Sequence, residues 1–235
     1  PEMRSQRPIR CTGSAVSLAE AVLDIFCPKR PARILAFLSG VCSEGPGRAV
    51  GLQKDELIRV HSDIRRGTAS GKYWSQSLGF FTTIMQKMVL NSHVIDVCSA
   101  SLDQTGIAEM KNCIECTGGY LLMVDTWRKG NFEANLRNIL NPQKPYWYNV
   151  TIEGMSSLDW KIMGAIGPFT GALKKSSSVS ATEIGLGKTC QWVASRIDED
   201  TAIACYFELL ASTQRHRFVQ FLVTYTNQRG DTFLR

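Results

Sequence analysis

The stretch Val94–Asp125, VIDVCSASLDQTGIAEMKNCIECTGGYLLMVD, decides the fold class of this 235-residue chain. It starts with an apolar, β-branched run, Val94 to Cys98, and ends with a second apolar run, Tyr120 to Val124. A polar turn, Ser101 to Gly106, and a short helical segment, Ile107 to Cys113, lie between them. Two short apolar runs joined by a helical crossover predict a βαβ unit in a parallel sheet.

Two amphipathic helices are predicted before this unit. The first starts near Thr12 or Ser14, either of which can cap it, and a proline at position 28 ends it. The second runs from about Ser70 to Leu90. Their predicted buried stripes are Ala15, Leu18, Val22 and Phe26 in the first helix, and Trp74, Leu78, Phe81, Met85 and Met88 in the second. We therefore expect both helices to pack one apolar face into the core.

A further strand and a glycine-rich loop are predicted between the two helices. Arg33 to Leu38 is continuously apolar after its first residue, which is typical of a strand covered on both faces. The segment Ser39–Gly51 that follows contains four glycines and a proline. Such a loop at the edge of a sheet is where binding residues usually gather. Asn131 to Leu140 adds one more amphipathic helix.

The pattern changes after Pro145. Helical spacing gives way to short runs of β-forming residues separated by turn residues, which predicts an antiparallel sandwich. The predicted strands are Tyr146–Ile152, Trp160–Ile166, Cys190–Ser195, Ala202–Leu209, Phe218–Thr226 and the short Thr232–Arg235. We therefore expect two domains, residues 1–145 and residues 146–235, with the second one incomplete.

Composition excludes few function classes. The net charge is +6, and residues 1–145 hold 18 Lys and Arg against 13 Asp and Glu, whereas residues 146–235 hold 9 against 8. A moderate positive excess permits an anionic membrane or nucleic acid as a partner. Isolated basic pairs without interleaved aromatics argue against nucleic acid. Eight scattered Cys and no secretory signal predict a cytosolic chain without disulfides, and a first residue other than Met predicts a fragment.

Two motifs imitate ligand sites. Thr182–Thr189, TEIGLGKT, resembles a phosphate-binding loop but lacks its first glycine, and Cys190 onward continues as a strand, so a turn between strands is favoured. Cys113 and Cys116 have the spacing of half a zinc site, but no second pair or nearby His completes four ligands. Two ordinary thiols are therefore favoured, and no cofactor or metal is predicted for this chain.

An enzyme with an α/β catalytic domain is an alternative. It would use the loop Ser39–Gly51 or the turn Ser101–Gly106, and Asp103 would be its acid or base. A lone Asp beside a parallel strand is more often a turn-former. There is no Gly-x-Ser-x-Gly elbow, and the three His are far apart in sequence.

Several strings, in family order over nearly the whole chain, carry a specific resemblance. They are RPIRCTGSAVSLA (Arg7–Ala19), ARILAFLSGVCSEGPG (Ala32–Gly47), IRVHSDI (Ile58–Ile64), SLDQTGIAEMK (Ser101–Lys111), TGGYLLMVD (Thr117–Asp125), GAIGP (Gly164–Pro168), EIGLGKTCQW (Glu183–Trp192) and VQFLVTY (Val219–Tyr225). Together they resemble the family of the GTPase-activating subunit of the inner COPII vesicle coat.

The resemblance implies a von Willebrand A-like trunk, a parallel sheet flanked by helices, followed by part of a β-sandwich. It implies a coat subunit in transport from the endoplasmic reticulum to the Golgi. Its implied partners are a cargo-binding coat paralogue, a Sar-type small GTPase in its GTP form, outer-coat subunits and an anionic membrane. Its implied location is the cytoplasm and the cytosolic face of the endoplasmic reticulum and of coated vesicles. The cargo-binding paralogue itself is an alternative, against which the SLDQTG and CQW strings argue.

Several family features have no counterpart in this sequence. The zinc finger of the family precedes this region, and its activating arginine, an arginine finger, lies beyond Arg235. Ser39-Gly40 ends the first predicted strand where metal-binding relatives of the trunk place Thr-Asp-Gly, so no carboxylate is available for a hard cation there. Lys188 and the segment from Phe169 to Gly171 diverge locally from the family. The chain is therefore expected to bind partners without itself accelerating GTP hydrolysis.

Overall fold

The structure, a computed structural model, describes residues 6–128, 130–141, 143–210 and 216–235. The chain divides into two compact units. The first comprises residues 1–115 and 119–141, and the second comprises residues 116–118 and 142–235. No helix of the described residues combines the length and apolarity that a membrane span requires.

The first unit contains a parallel sheet of three strands with helices packed against it. Its elements in chain order are α1 (Thr12–Phe26), β1 (Ala32–Leu38), α2 (His61–Arg66), α3 (Trp74–Asn91), β2 (His93–Ala100), α4 (Ile107–Cys116), β3 (Leu121–Val124) and α5 (Gly130–Ile139). The strand order is β1-β2-β3, and both pairings are parallel. The predicted βαβ unit is therefore confirmed as β2-α4-β3.

Strand β2 is the centre of this unit. All eight of its residues are buried, although three of them, His93, Asp96 and Ser99, are polar. The Asp96 carboxylate pairs with the Arg33 guanidinium of β1 at 2.6 Å and accepts the Tyr120 N–H at 2.7 Å. A buried carboxylate is tolerated only with such partners. The ion pair therefore fixes β1 and the start of β3 onto the central strand.

The predicted stripe of α1 is wrong. Ala15, Leu18, Val22 and Phe26 are exposed, and the buried residues of this helix are Gly13, Val16 and Glu20. Both sets recur every three or four residues, so the spacing alone fits either side of the helix. The predicted caps are also wrong, because Thr12 is already the first helical residue and Cys11 occupies the N-cap without a side-chain hydrogen bond.

Strand β1 is less covered than its sequence predicts. Leu35 and Phe37 are exposed, whereas Leu38 is buried. Among the described residues, β1 pairs with β2 only, and it therefore lies at an edge of the sheet. Side chains alternate between the two faces of a strand, so Leu35 and Phe37 lie on the same face, which is in contact with solvent.

The second unit is all-β. Its strands are β4 (Tyr146–Ser156), β5 (Trp160–Ile166), β6 (Thr170–Gly171), β7 (Gln191–Asp198), β8 (Ala204–Leu209), β9 (Val219–Thr226) and β10 (Thr232–Leu234). Five strands form an antiparallel sheet in the order β10-β9-β4-β7-β6, and β5 and β8 form a second antiparallel pair. One apolar cluster that includes Val150, Ile162, Phe169 and Trp192 is built from both sheets. The predicted fold class, a parallel α/β region followed by an antiparallel β region, is confirmed.

Candidate functional site

The carboxyl ends of β1 and β2 open the first candidate site. Leu38 is the register partner of Ser99, so the two strands end side by side. The loops 39–51 and 101–106, both considered from the sequence as binding segments, begin there. In open parallel sheets this edge is the usual place for a ligand.

Asp103, the proposed acid or base of the enzyme alternative, lies exposed in the second of these loops. Its N–H donates to Ser101 Oγ at 3.1 Å, and its Oδ1 accepts the Gln104 N–H at 2.7 Å. These are the local hydrogen bonds of a turn-forming Asp. The geometry therefore favours the turn-forming interpretation, and the enzyme alternative gains no support from it.

A buried ion pair stabilises the turn 101–106 that contains Asp103. The Arg59 guanidinium donates to both carboxylate oxygens of Glu109 at the start of α4, with Nε 2.8 Å from Oε1. Its Nη1 donates to Gln104 Oε1 at 2.9 Å, and its Cζ lies 5.3 Å from the centre of the Trp74 ring. A bidentate pair of this kind has the strongest geometry available to a buried arginine. Arg59 is thus a positioning residue for the loop, and no sequence motif identified it.

The other loop, 39–51, is fastened by the segment that precedes α1. Ser43 Oγ donates to the Pro8 carbonyl at 2.8 Å and accepts the Arg10 N–H at 3.0 Å. The Pro46 carbonyl oxygen lies 2.0 Å from the position that a Cβ on Gly13 would occupy. Helix α1 therefore contacts this loop through a glycine that no larger residue can replace without movement of the backbone.

No group of three or more His, Cys, Asp or Glu side chains that could hold a metal ion occurs within residues 6–128, 130–141, 143–210 and 216–235. The thiols are held as ordinary core groups. Cys113 Sγ lies 3.7 Å from Met88 Sδ, and Cys116 Sγ donates to the Phe169 carbonyl at 3.4 Å. Burial raises the pKa of the Cys98 thiol, with Asp96 adding to the effect, and burial likewise raises the pKa of Cys205. Thiols of this kind are poor nucleophiles at neutral pH.

The segment 182–189 forms a turn between strands in the second unit. Leu186 bridges to Ala165 of β5, and β7 rather than a helix follows the segment. Lys188 has a positive φ of 57° and pairs at 3.2 Å with Glu183 on the surface. This geometry leaves the segment without the strand-loop-helix context that phosphate cradling requires.

Phe169, the other divergent position, belongs to the core of the second unit. Its ring lies 6.0 Å from the ring of Trp192, and both side chains are buried. The Trp192 Nε1 donates to the Leu186 carbonyl at 2.9 Å, which satisfies its polar end. Phe169 and Lys188 therefore have structural explanations, as a core ring and as a surface turn.

An apolar groove runs along the edge strand β1. Its volume is about 570 Å³, and it is lined by Ala15, Val16 and Ala19 of α1 and by residues 34–40. The exposed Leu35 and Phe37 belong to this surface. Peptide segments bind in apolar grooves and along edge strands of other proteins. The first unit thus exposes apolar side chains along one edge of its sheet.

The order of the two units agrees with two family models. The model of the Sec23/Sec24 trunk domain matches residues 2–141, and the model of the Sec23/Sec24 β-sandwich domain matches residues 147–235. The chain therefore belongs to the Sec23/Sec24 family, and the resemblance read from its strings is confirmed.

Individual relatives agree with this assignment. Protein transport protein SEC23 F of Arabidopsis thaliana is 31% identical over 245 aligned positions, which include 100% of this chain and 32% of the relative. The chain thus spans about a third of the length of this curated relative. The crystal structure of the human COPII-coat protein Sec24c has a TM-score of 0.65 and 13% identity, covering 96% of this chain and 28% of that one. This likeness shows the fold alone.

A more distant structure was also found. A von Willebrand factor type A structure from Catenulispora acidiphila aligns with 94% of this chain and 44% of that chain, with a TM-score of 0.45 and 10% identity. A similarity at this level supports no argument about fold or function.

Proposed function

We propose that the full-length protein is a subunit of the COPII coat in transport from the endoplasmic reticulum to the Golgi. The observation that carries the proposal is the pair of consecutive family models over residues 2–141 and 147–235. The groove along β1 and the exposed apolar side of α1 support a role exerted through protein surfaces. The protein would act in the cytoplasm, on the cytosolic face of the endoplasmic reticulum and on coated vesicles.

The proposed role within the coat is that of the GTPase-activating subunit. Its support is the identity of 31% to SEC23 F along the whole chain. Its proposed partners are a Sar-type small GTPase in its GTP form, a cargo-binding paralogue and outer-coat subunits. The positive excess in residues 1–145 supports contact with an anionic membrane surface. The cargo-binding paralogue itself remains the alternative.

The activation of GTP hydrolysis is proposed for the full-length protein only. From the family resemblance we expect the activating arginine beyond Arg235 and the zinc finger before this region. We therefore assign neither GTPase activation nor zinc binding to a residue of this chain, and we propose no catalytic residue, cofactor or metal ligand in it.

The test is affinity capture with the full-length protein as bait. We expect it to retain the small GTPase loaded with a non-hydrolysable GTP analogue, and to retain the cargo-binding paralogue irrespective of nucleotide. The GDP-loaded GTPase is the matched control and should be lost in washing. A failure to retain either partner would remove the proposal.

A second measurement separates the two coat roles and the enzyme alternative. The full-length protein should accelerate GTP hydrolysis by the small GTPase, whereas a cargo-binding paralogue should retain cargo peptides without that acceleration. Asp103→Ala should leave both the capture and the acceleration unchanged, because the Asp103 side chain serves its own turn. Loss of the acceleration in this variant would instead support a catalytic Asp103.

A further inference from the structure

A small polar pocket lies beside the first turn of α3 in the first unit. Its volume is about 210 Å³, and it is lined by residues 44–48 of the glycine-rich loop together with Tyr73, Gln76 and Ser77. None of these residues has a place in the function proposed above. The pocket is therefore separate from the groove along β1 on which that function draws.

Ser77 is the residue that points to a ligand. It lines the pocket and is 1% exposed, yet its Oγ has no hydrogen-bond partner among the residues that the structure describes. Two other hydroxyls of the same helix, those of Thr82 and Thr83, donate to carbonyls one turn earlier at 2.8 and 3.1 Å. A buried hydroxyl without a partner is destabilising. A molecule in the pocket would supply the partner that Ser77 lacks.

The pocket also lies at the positive end of a long helix. Helix α3 has 18 residues, no acidic residue in its first turn and no side-chain hydrogen bond at its N-cap, Tyr73. The first N–H groups of a helix have no partner within the helix, and together with the helix dipole they attract anions. The helix end thus favours an anion, and the Ser77 hydroxyl can donate a hydrogen bond to it.

Two cations surround the ring of Tyr73. The Arg48 guanidinium carbon lies 4.5 Å from the ring centre, and Arg48 Nε donates to the Val50 carbonyl at 3.1 Å. Lys72 Nζ lies 4.8 Å from the same ring centre and pairs at 3.2 Å with Glu56. Arg48 and Tyr73 both line the pocket, and the Arg48 guanidinium lies against the Tyr73 ring.

The lining also contains one acidic residue, Glu44, which is half-buried. Its carboxylate would repel an anion and would limit the affinity of the pocket. Removal of that charge should therefore tighten the binding of an anion, whereas it should weaken the binding of a cation. This opposite response makes Glu44 a useful probe of the sign of the ligand.

We propose that this pocket binds a phosphoryl group. Ser77 Oγ, the Arg48 guanidinium and the first N–H groups of α3 would donate hydrogen bonds to its oxygens, as such donors do in other phosphate sites. The group would be either a soluble phosphate or the phosphorylated headgroup of a lipid, because both present the same oxygens to these donors.

The first experiment measures the binding of inorganic phosphate to the full-length protein by calorimetry, with chloride at equal ionic strength as the reference. We expect saturable binding that Ser77→Ala and Arg48→Gln each weaken by about tenfold, the effect of one lost charge-assisted hydrogen bond. Glu44→Gln should tighten the binding. Ser75→Ala is the matched control, because Ser75 is exposed in the same turn and does not line the pocket.

The same variants separate binding from a structural role. Without phosphate, Ser77→Ala should melt at the same temperature as the parent or higher, because it removes a hydroxyl that has no partner. Absence of saturable phosphate binding, or equal binding by the Ser77→Ala and Ser75→Ala variants, would overturn the proposal. Weaker binding by Glu44→Gln would overturn it as well.

A second arm identifies the source of the phosphoryl group. Phosphatidylcholine vesicles that contain a phosphatidylinositol phosphate are compared with control vesicles. In the control vesicles, phosphatidylserine supplies the same total negative charge. Loss of binding by Ser77→Ala to the first vesicles alone would identify a lipid headgroup. Phosphate binding that depends on Ser77, combined with vesicle binding that does not, would identify a soluble phosphate. If a phosphoserine peptide bound to the protein whereas neither phosphate nor the vesicles bound, both the lipid headgroup and the soluble phosphate would be excluded as the ligand.

Discussion

Helices α1 and α3 differ in how far their sequences determine their packing. Helix α3 buries Phe81, Met85 and Met88, three of the five residues of its predicted stripe, and leaves the other two half-buried. Helix α1 buries none of its four predicted residues. Both helices lie in the same unit and both contain large apolar side chains at helical spacing. The difference must therefore come from what each helix packs against.

The buried residues of α1 are a glycine, a valine and a glutamate, namely Gly13, Val16 and Glu20. Gly13 meets the Pro46 carbonyl, and Glu20 is buried further along the same side. The large residues Leu18, Ile25 and Phe26 face outward. A close approach to a loop requires a residue without a side chain, whereas the hydrophobic pattern selects the side with the largest residues. Apolar spacing thus identifies α1 as a helix but does not determine which of its sides is buried.

The largest expected effect compares the same substitution in the two helices. Phe81 is 2% exposed in α3, and Phe26 is 77% exposed in α1. Phe81→Ala should lower the free energy of unfolding by about 3–5 kcal/mol, because it leaves a cavity in the core. Phe26→Ala should change it by less than about 0.5 kcal/mol, as exposed substitutions do. Urea-induced unfolding of both variants checks this, and equal effects would contradict the burial assigned to α1.

A second, smaller effect tests the contact of α1 with the glycine-rich loop. Gly13→Ala places a methyl group 2.0 Å from the Pro46 carbonyl oxygen, so the helix or the loop must move. We expect a loss of about 1–3 kcal/mol in the free energy of unfolding, the usual cost of overpacking. The measurement is again the urea midpoint. A variant as stable as the parent would show that α1 is not held against this loop.

Much of the fold could be predicted from the sequence. Strand β2 and the antiparallel strands of the second unit are short apolar or β-branched runs bounded by turn residues, so local pattern suffices to place them. The same pattern places strand β1. It does not predict the exposure of Leu35 and Phe37, because the number of neighbours that a strand has is decided by topology rather than by its own composition.

The candidate sites were less predictable, because they depend on contacts between distant parts of the chain. Arg59 and Glu109 are 50 positions apart, and no local pattern shows that two charged residues will be buried together. The same holds for Ser77 and Arg48, whose pocket forms only when α3 packs beside the loop. The strings that identified the family include Arg59 and Glu109, but the sequence showed no pairing between them. Asp103 differs from these residues, because the hydrogen bonds of a turn-forming Asp are local and a sequence pattern can indicate them.

The third prediction concerns the polar residue on the buried side of α1. Burial raises the pKa of Glu20 above its usual value of 4.5, opposed by Lys87 and His93 and reinforced by Asp24. A carboxyl group whose pKa is higher in the folded state binds its proton more tightly there than in the unfolded chain. Stability is therefore lost as the pH rises from about 4.5 through the raised pKa.

Glu20→Gln should remove this loss. At neutral pH we expect the variant to be more stable than the parent by about 1 kcal/mol, the scale of one buried polar group without a full set of partners. Below the unfolded-state pKa the two proteins should be equally stable. Urea unfolding at a series of pH values measures the difference, with the exposed Glu115→Gln as the control. Parallel profiles for parent and Glu20→Gln would show that Glu20 is not buried.

The smallest effect has the opposite sign from that of Gly13→Ala and completes the comparison. Gly79 lies in the interior of α3, and a Cβ added to it would meet no atom of the described residues within 4 Å. Gly79→Ala should therefore raise the free energy of unfolding by about 0.5–1 kcal/mol, because alanine loses less backbone entropy when the helix forms. The urea midpoint should increase. If Gly13→Ala lowers the free energy of unfolding and Gly79→Ala raises it, close packing rather than helix propensity distinguishes the two helices. A loss of stability in Gly79→Ala would instead place a neighbour against this side of α3.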